Sequence, residues 1–293
     1  MKILILGGSG MIGHTFLQSL GESFDVKVTL QGSEKDYLKF GIFNNQNAFY
    51  EQNALDLEGL SNLINLYNPQ CIVNCVGITK QICVAKGIEQ TIEVNSLFPH
   101  QIKRICEKRG VRLIHLSTDC VFSGKKGFYN EKDFADAEDL YGRSKILGEV
   151  QGENCLTLRK STVGLELSNT HGLIEWFISQ KQNILGYKGA IYSGLSTRYL
   201  ATIVGQIIKD HRELSGIMNL ASAPISKYDL LCKLRNRIED FDIEIIEDDK
   251  INIDRSLDAA KFCDKTGIVV PSWDEMLDDL AKEINERKYD TRK

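Results

Sequence analysis

No apolar run in the chain approaches the ~18 residues of a membrane-spanning helix, no two cysteines form a CxxC pair, and only four prolines occur in 293 residues. The first absence argues against a membrane protein. The opening MKILILGGSG has too short an apolar stretch for a secretory leader and runs straight into glycines. The eight cysteines, at 71, 75, 83, 106, 120, 155, 232 and 263, are therefore expected to be reduced thiols rather than disulfides or zinc ligands. With so little proline there is no room for a stiff hinge, and neither an internal repeat nor a low-complexity linker is visible. A strong charge of one sign is missing too. Lys and Arg total 36 against 40 Asp and Glu, a net −4, which argues against nucleic-acid binding as the main activity. The expected setting is cytoplasmic.

What is present is an alternation. Short apolar runs at Lys2–Leu6, Val26–Leu30, Cys71–Val76, Arg112–Ser117 and Leu156–Lys160 read as strands. Amphipathic stretches at Met11–Leu20, Leu57–Tyr67, Val94–Arg109 and Leu140–Gln151 separate them as helices. Strands spaced by helices imply parallel βαβ units, so the expected fold class is α/β, a doubly wound parallel (Rossmann) sheet. In the second half, helical patterns at Leu173–Gln180, Ser196–Lys209, Lys227–Ile238 and from Ser272 surround strand-like Ala190–Ser193 and Ile217–Leu220. The acidic segment Glu239–Lys250 reads as solvated surface. The expected division is a dinucleotide-binding domain over 1–160 and a mainly substrate-binding, interleaved α/β lobe over 161–293.

KILILGGSGMIG places Gly7, Gly10 and Gly13 directly after a buried-looking strand and at the start of a helix. That context gives the pattern meaning. The first glycine permits the turn, the second lets backbone approach a pyrophosphate, and the third lets helix and strand pack closely. The helix N-terminus offers free N–H groups to a diphosphate. Gly7, Gly10, Met11, Ile12 and Gly13 are thus candidate cofactor contacts, although a plain strand–turn–helix also fits.

LIHLSTDCVFSG is an apolar run that stops at Ser117, Thr118 and Asp119. Ligands of open parallel sheets bind at the carboxyl ends of strands, so hydroxyls there are suggestive, even though Ser and Asp also build turns. Downstream, YGRSK puts Tyr141 and Lys145 on one helical face. A free phenol has a pKa near 10, and lowering it by about 3 units needs roughly 4 kcal/mol. A nearby ammonium contributes to that, which would let Tyr141 exchange a proton with a substrate oxygen held by Thr118.

The spacing GxxGxxG resembles the short-chain dehydrogenase/reductase superfamily. STDCVFSG followed by YGRSK resembles its dTDP-4-dehydrorhamnose reductase branch, as do Asn95 in a central helix, Leu158-Arg159-Lys160-Ser161, and PSW near the C-terminus. The resemblance implies a nicotinamide cofactor and a nucleotide-diphosphate sugar substrate. It also implies Thr118, Tyr141 and Lys145 as the catalytic set, with Tyr141 and Lys145 contacting the cofactor. Asp56 and Leu57 correspond to the adenine contact, and Cys75, Val76 and Gly77 to the segment passing along the cofactor; a helix cap and a strand-end turn are the alternatives. The second strand ends in Thr29-Leu30-Gln31-Gly32-Ser33 without a carboxylate, so with Ser33 and Lys35 nearby NADP is favoured over NAD. Cys120 and Lys160 depart from the usual tyrosine and threonine. Elimination chemistry lacks its second carboxylate, because Cys120 rather than Glu follows Asp119. Lys80, Asp119, Cys120 and Arg198 are candidate substrate contacts; Arg198 and Arg255 read equally well as surface charges or as phosphate ligands. Trp176 and Phe177 read as core. The reading that results is a reductase of a nucleotide-diphosphate 4-keto-6-deoxysugar in polysaccharide precursor synthesis, with a possible homodimer. An epimerase or dehydrogenase of another nucleotide sugar, or a non-catalytic nucleotide-binding subunit, are the rivals.

Overall fold

In a computed structural model, residues 1–168 and 170–290 are described. Seven parallel strands form the main sheet: β1 Lys2–Leu6, β2 Asp25–Thr29, β3 Ala48–Phe49, β4 Cys71–Asn74, β5 Arg112–Leu116, β6 Cys155–Arg159 and, out of chain order, β11 Gly216–Asn219. The remaining strands are β7 Ser161–Val163, β8 Ile184–Tyr187, β9 Ala190–Tyr192, β10 Gly194–Ser196, β12 Ile225–Ser226, β13 Ile245–Asp248 and β14 Ile253–Asp254. The main sheet runs β11-β6-β5-β4-β1-β2-β3. KILIL shows why such a strand is apolar throughout. Ile3 and Ile5 join the core on one face of the sheet, and Leu4 and Leu6 join the core on the other. Both faces are covered by helices, so neither side of the strand can be polar.

The helices Met11–Leu20 and Leu57–Tyr67 span the residues the periodicity predicts. Two other helices depart from the expected spans. The helix expected over Val94–Arg109 starts earlier, at Ile88–Ile92, passes through a π-turn, Glu93–Leu97, and resumes as regular helix at Phe98–Glu107. Pro99 stands at the start of that regular helix, where its missing N–H is harmless. The helix expected over Leu140–Gln151 stops at Leu147. The residue after it, Gly148, has no room for a side chain, because a Cβ there would run into the carbonyl oxygen of Asn95.

Beyond residue 160 the chain comes back to the main sheet. Strand β11 pairs with β6, and the helix Thr197–Asp210 packs on the helix Met11–Leu20. Residues from both halves of the chain therefore build the main sheet and one of its helical layers. Small sheets carry the rest: β7 with β10, β9 between β12 and β14, and β8 with β13. Strand β13 corrects the reading of the acidic segment. Ile245 and Asp248 within it are buried, and the strand pairs in parallel with β8. Phe177 is buried core, but Trp176 remains 38% exposed, so only one of the two aromatics packs inside.

Candidate active site

The glycine loop joins β1 to the helix Met11–Leu20. Gly7 has φ +86°, a left-handed conformation that disfavours any side chain. A Cβ on Gly13 would collide with the carbonyl oxygen of Gly7. At Gly10 the added atom would meet only that oxygen, at 3.5 Å, and otherwise open space. Gly10 caps the helix without a side-chain bond, and Met11 and Ile12 form its first turn. The helix end thus presents bare N–H groups and its positive dipole end beside a cradle with no side chain in it, which fits a dinucleotide's pyrophosphate. Val76 lies against Gly7, its Cγ2 3.2 Å from where a Cβ would stand, so the Cys75–Gly77 segment flanks the loop.

Two expected cofactor positions have local partners. Asp56 caps the helix Leu57–Tyr67, its Oδ1 accepting from the Gly59 amide at 3.0 Å. Ser33 caps a helical turn: its amide and hydroxyl donate to Asp36 at 2.8 and 2.9 Å. A carboxylate therefore does stand near the end of β2, three residues past the stretch in which the sequence shows none.

At the carboxyl end of β5 the polar cluster assembles. Thr118 donates to Asp119 Oδ1 at 3.1 Å and accepts from the Cys120 amide at 3.1 Å. The helix Leu140–Leu147 brings Tyr141 and Lys145 to the same edge. Gly142 makes the approach possible, because a Cβ there would press on the Cys120 carbonyl and Ala137. Asp139 caps the helix through the Gly142 amide at 2.8 Å. Asn95 ties the helix to the strand-end segment. It accepts from the Ile78 amide at 2.8 Å and donates to the Ile78 carbonyl at 2.9 Å and Ser144 Oγ at 3.1 Å.

Burial pushes the Tyr141 phenol above its ordinary pKa. Cys120, Asp119 and Asp139 add to that, and a hydrogen bond with Thr118 opposes it. Lys145, 5% exposed, donates to the Leu116 carbonyl at 2.9 Å. Burial first, and the charge of Lys160 second, push its ammonium down to about 7. Burial is the largest influence on the phenol, ahead of every charge beside it. The phenol stays protonated at neutral pH, the form that donates.

Around the mouth, Lys80 donates to Asp139 Oδ2 at 2.7 Å, beside the start of the helix carrying Tyr141. Arg198 is elsewhere. Its guanidinium pairs with Asp279 at 3.2 Å and Glu283 at 3.4 Å on the C-terminal helix Trp273–Asp290, so it does not join the cluster. Arg255 takes the place expected of Arg198. Its Nε donates to the Phe122 carbonyl at 2.8 Å, and its charge acts on Asp119, Cys120 and Asp139. Lys160, just past β6, also reaches Asp119 electrostatically. Beneath the cluster, Arg159 and Glu149 form a buried ion pair at 2.6 Å, and Ser117 donates to the same carboxylate at 2.9 Å. Of these supports Ser117, Arg159, Lys160 and Arg255 stand in stretches the sequence singles out, whereas Glu149 carries no local signal.

Comparison with known proteins follows the same outline. A family model described as the RmlD substrate binding domain matches residues 1–285. The probable low-salt glycan biosynthesis reductase Agl14 of Haloferax volcanii is 28% identical over 150 residues, 51% of this chain and 48% of that protein. The methionine adenosyltransferase 2 subunit beta of Danio rerio is 26% identical over 149 residues, 50% of this chain and 42% of that protein. The chain thus matches less than half the length of each of these relatives. The crystal structure of dTDP-4-dehydrorhamnose reductase from Bacillus anthracis str. Ames in complex with NADP superposes with a TM-score of 0.78, covering 96% of this chain and 99% of that one at 18% identity, a likeness of fold.

Proposed function

The chain belongs to the RmlD substrate-binding-domain family, and from that premise we propose that it is an NADP(H)-dependent reductase of a nucleotide-diphosphate 4-keto-6-deoxysugar, serving polysaccharide precursor synthesis. The observation that carries the reading is the convergence of Thr118, Tyr141 and Lys145 on one edge of the sheet, beside a side-chain-free glycine cradle. Gly7, Gly10, Met11, Ile12 and Gly13 would hold the cofactor's pyrophosphate. Cys75, Val76 and Gly77 would flank it, and Asp56 and Leu57 would meet its adenine, with one Asp56 oxygen still capping the helix. When bound, the cofactor supplies hydride to the carbonyl carbon.

The protein's own residues manage the proton. Thr118 orients the keto oxygen next to the phenol. Tyr141, protonated at neutral pH because burial raises its pKa, gives its proton to that oxygen. Lys145 stands one helical turn away to stabilise the phenolate left behind and to reach the nicotinamide ribose. Lys80, Asp119 and Cys120 line the side from which the sugar approaches. The proposal extends to a homodimer, whose mass light scattering reads.

The test is NADPH oxidation with a panel of 4-keto-6-deoxysugar nucleotides. Stoichiometric consumption is expected with at least one. No reduction of any member, and no reverse reaction from the corresponding alcohols, would remove the substrate class. A second reading, a nucleotide-binding subunit without turnover, is favoured by the relative named as a subunit of methionine adenosyltransferase 2. It predicts that Tyr141→Phe leaves a weak rate unchanged, whereas the reductase reading predicts a loss of at least about a hundredfold.

A further inference from the structure

Three polar groups near the reaction centre have no part in the proton and hydride chemistry. Tyr192, at the end of β9, is 7% exposed, and its hydroxyl is buried without a hydrogen-bond partner. An unpaired buried hydroxyl is unfavourable by about 1–3 kcal/mol, so its persistence asks for a reason. Its place in the fold is well defined. A Cβ on Gly194 would fall 3.1 Å from Cε2 of Tyr192 and 3.3 Å from Ser161, so the hydroxyl edge of the ring lies beside the chain just after Lys160. The backbone of Lys160 in turn accepts from the Asp119 amide at 3.2 Å. The charge of Asp119 reaches the Tyr192 phenol, and the charge of Lys160 reaches Asp119. The Tyr192 phenol, supplied by the smaller lobe, thus lies beside the chain at Lys160 and Ser161, whose backbone holds the Asp119 segment next to Thr118, and the charges of Asp119 and Lys160 act across it.

We propose that Tyr192, Asp119 and Lys160 form a sugar-reading subsite that takes hydroxyls of the hexose ring, Tyr192 and Lys160 donating hydrogen bonds and Asp119 accepting. It rests on the nucleotide-sugar reading and adds the residues that recognise the sugar itself. A sugar hydroxyl both donates and accepts, which matches a mixed set of two donors and one carboxylate. A diphosphate accepts only, and the Asp119 carboxylate would repel it. The diphosphate therefore belongs nearer Arg255, whose Nε alone is anchored on Phe122.

The experiment compares thermal stabilisation by dTDP-glucose with that by dTDP, and by UDP-glucose with UDP, in the NADPH-loaded protein. Wild type is expected to gain more from a nucleotide sugar than from its nucleoside diphosphate. Tyr192→Phe should lose that increment and keep its response to the nucleoside diphosphate and to NADPH. Its unliganded Tm should not fall, because no protein hydrogen bond is removed. With a reducible substrate, its KM should rise about tenfold, the worth of one hydrogen bond. Lys160→Met, a second variant that keeps the length of the side chain and removes its charge, should lose the increment in the same way. Full retention of the sugar increment in both variants, or its absence from wild type, would overturn the subsite. A Tyr192-dependent increment without NADPH oxidation on any 4-keto sugar would instead remove the reductase reading and leave the subsite standing.

Discussion

Gly10 and Gly13 sit three residues apart in one loop and are glycine for different reasons. Gly13 is required by the protein itself, since any side chain strikes the Gly7 carbonyl. Gly10 faces open space, so its smallness serves something outside the chain. Gly13→Ala is accordingly expected to lower Tm strongly or prevent folding. Gly10→Ala should leave Tm within a degree or two and weaken NADPH binding at least about tenfold, measured by quenching of protein fluorescence. Equal effects on stability would remove the distinction. Lys145 gives a pH signature. Its pKa is about 7 in the fold against an ordinary 10.5. Below pH 7 both states hold the proton, and the unfavourable burial of the charge is complete. Between pH 7 and 10.5 the unfolded chain holds more protons, so stability rises with pH. Lys145→Met should therefore raise Tm near pH 6.5, and the advantage should shrink toward pH 10. At this scale the motif residues were legible, because turn, hydroxyl, phenol and ammonium each have a chemistry that spacing alone exposes. Tyr192 was not, since it reaches the site only through long-range folding, and for Arg255 the sequence left a surface charge and a phosphate ligand equally open.

The elements show where periodicity succeeds and where it stops. Met11–Leu20 and Leu57–Tyr67 follow the apolar pattern to their ends because each packs one face on the sheet. The helix around Asn95 breaks into a π-turn, and the helix after Asp139 ends early. The two departures meet where Gly148 packs on the Asn95 carbonyl, a tertiary contact that no window of sequence contains. The acidic segment misled for a related reason. Pairing with β8 buries the two ends of β13, Ile245 and Asp248, despite the surrounding charge. Beneath the catalytic edge, Arg159 on β6 holds Glu149, which also accepts from Ser117 next to Thr118. Arg159 stacks over Phe122 at 5.1 Å as well. Arg159→Met leaves a buried carboxylate unpaired and should destabilise by about 3–5 kcal/mol, read by urea unfolding. Adding Glu149→Leu should recover most of the loss, and failure to recover would show that the pair is not the cause.

At the scale of the whole molecule, the returning strand β11 and the helix Thr197–Asp210 tie the second half of the chain to the first, so the residues proposed to face the substrate ride on the same framework as the glycine loop. Among the described residues no helix is long and apolar enough to cross a membrane. Sheet order and the interleaving were only partly legible, since alternation gives parallel units but not the strand that comes back out of order. The central claim is that this framework brings a proton donor and a reducible sugar together. It is tested most directly by following NADPH absorbance at 340 nm with 4-keto-6-deoxysugar nucleotides, for wild type and Tyr141→Phe side by side. The account predicts one NADPH oxidised per sugar reduced by wild type, and a rate at least about a hundredfold lower in the variant with NADPH binding intact. Equal rates in the two proteins, or no oxidation by wild type with any member of the panel, would contradict it.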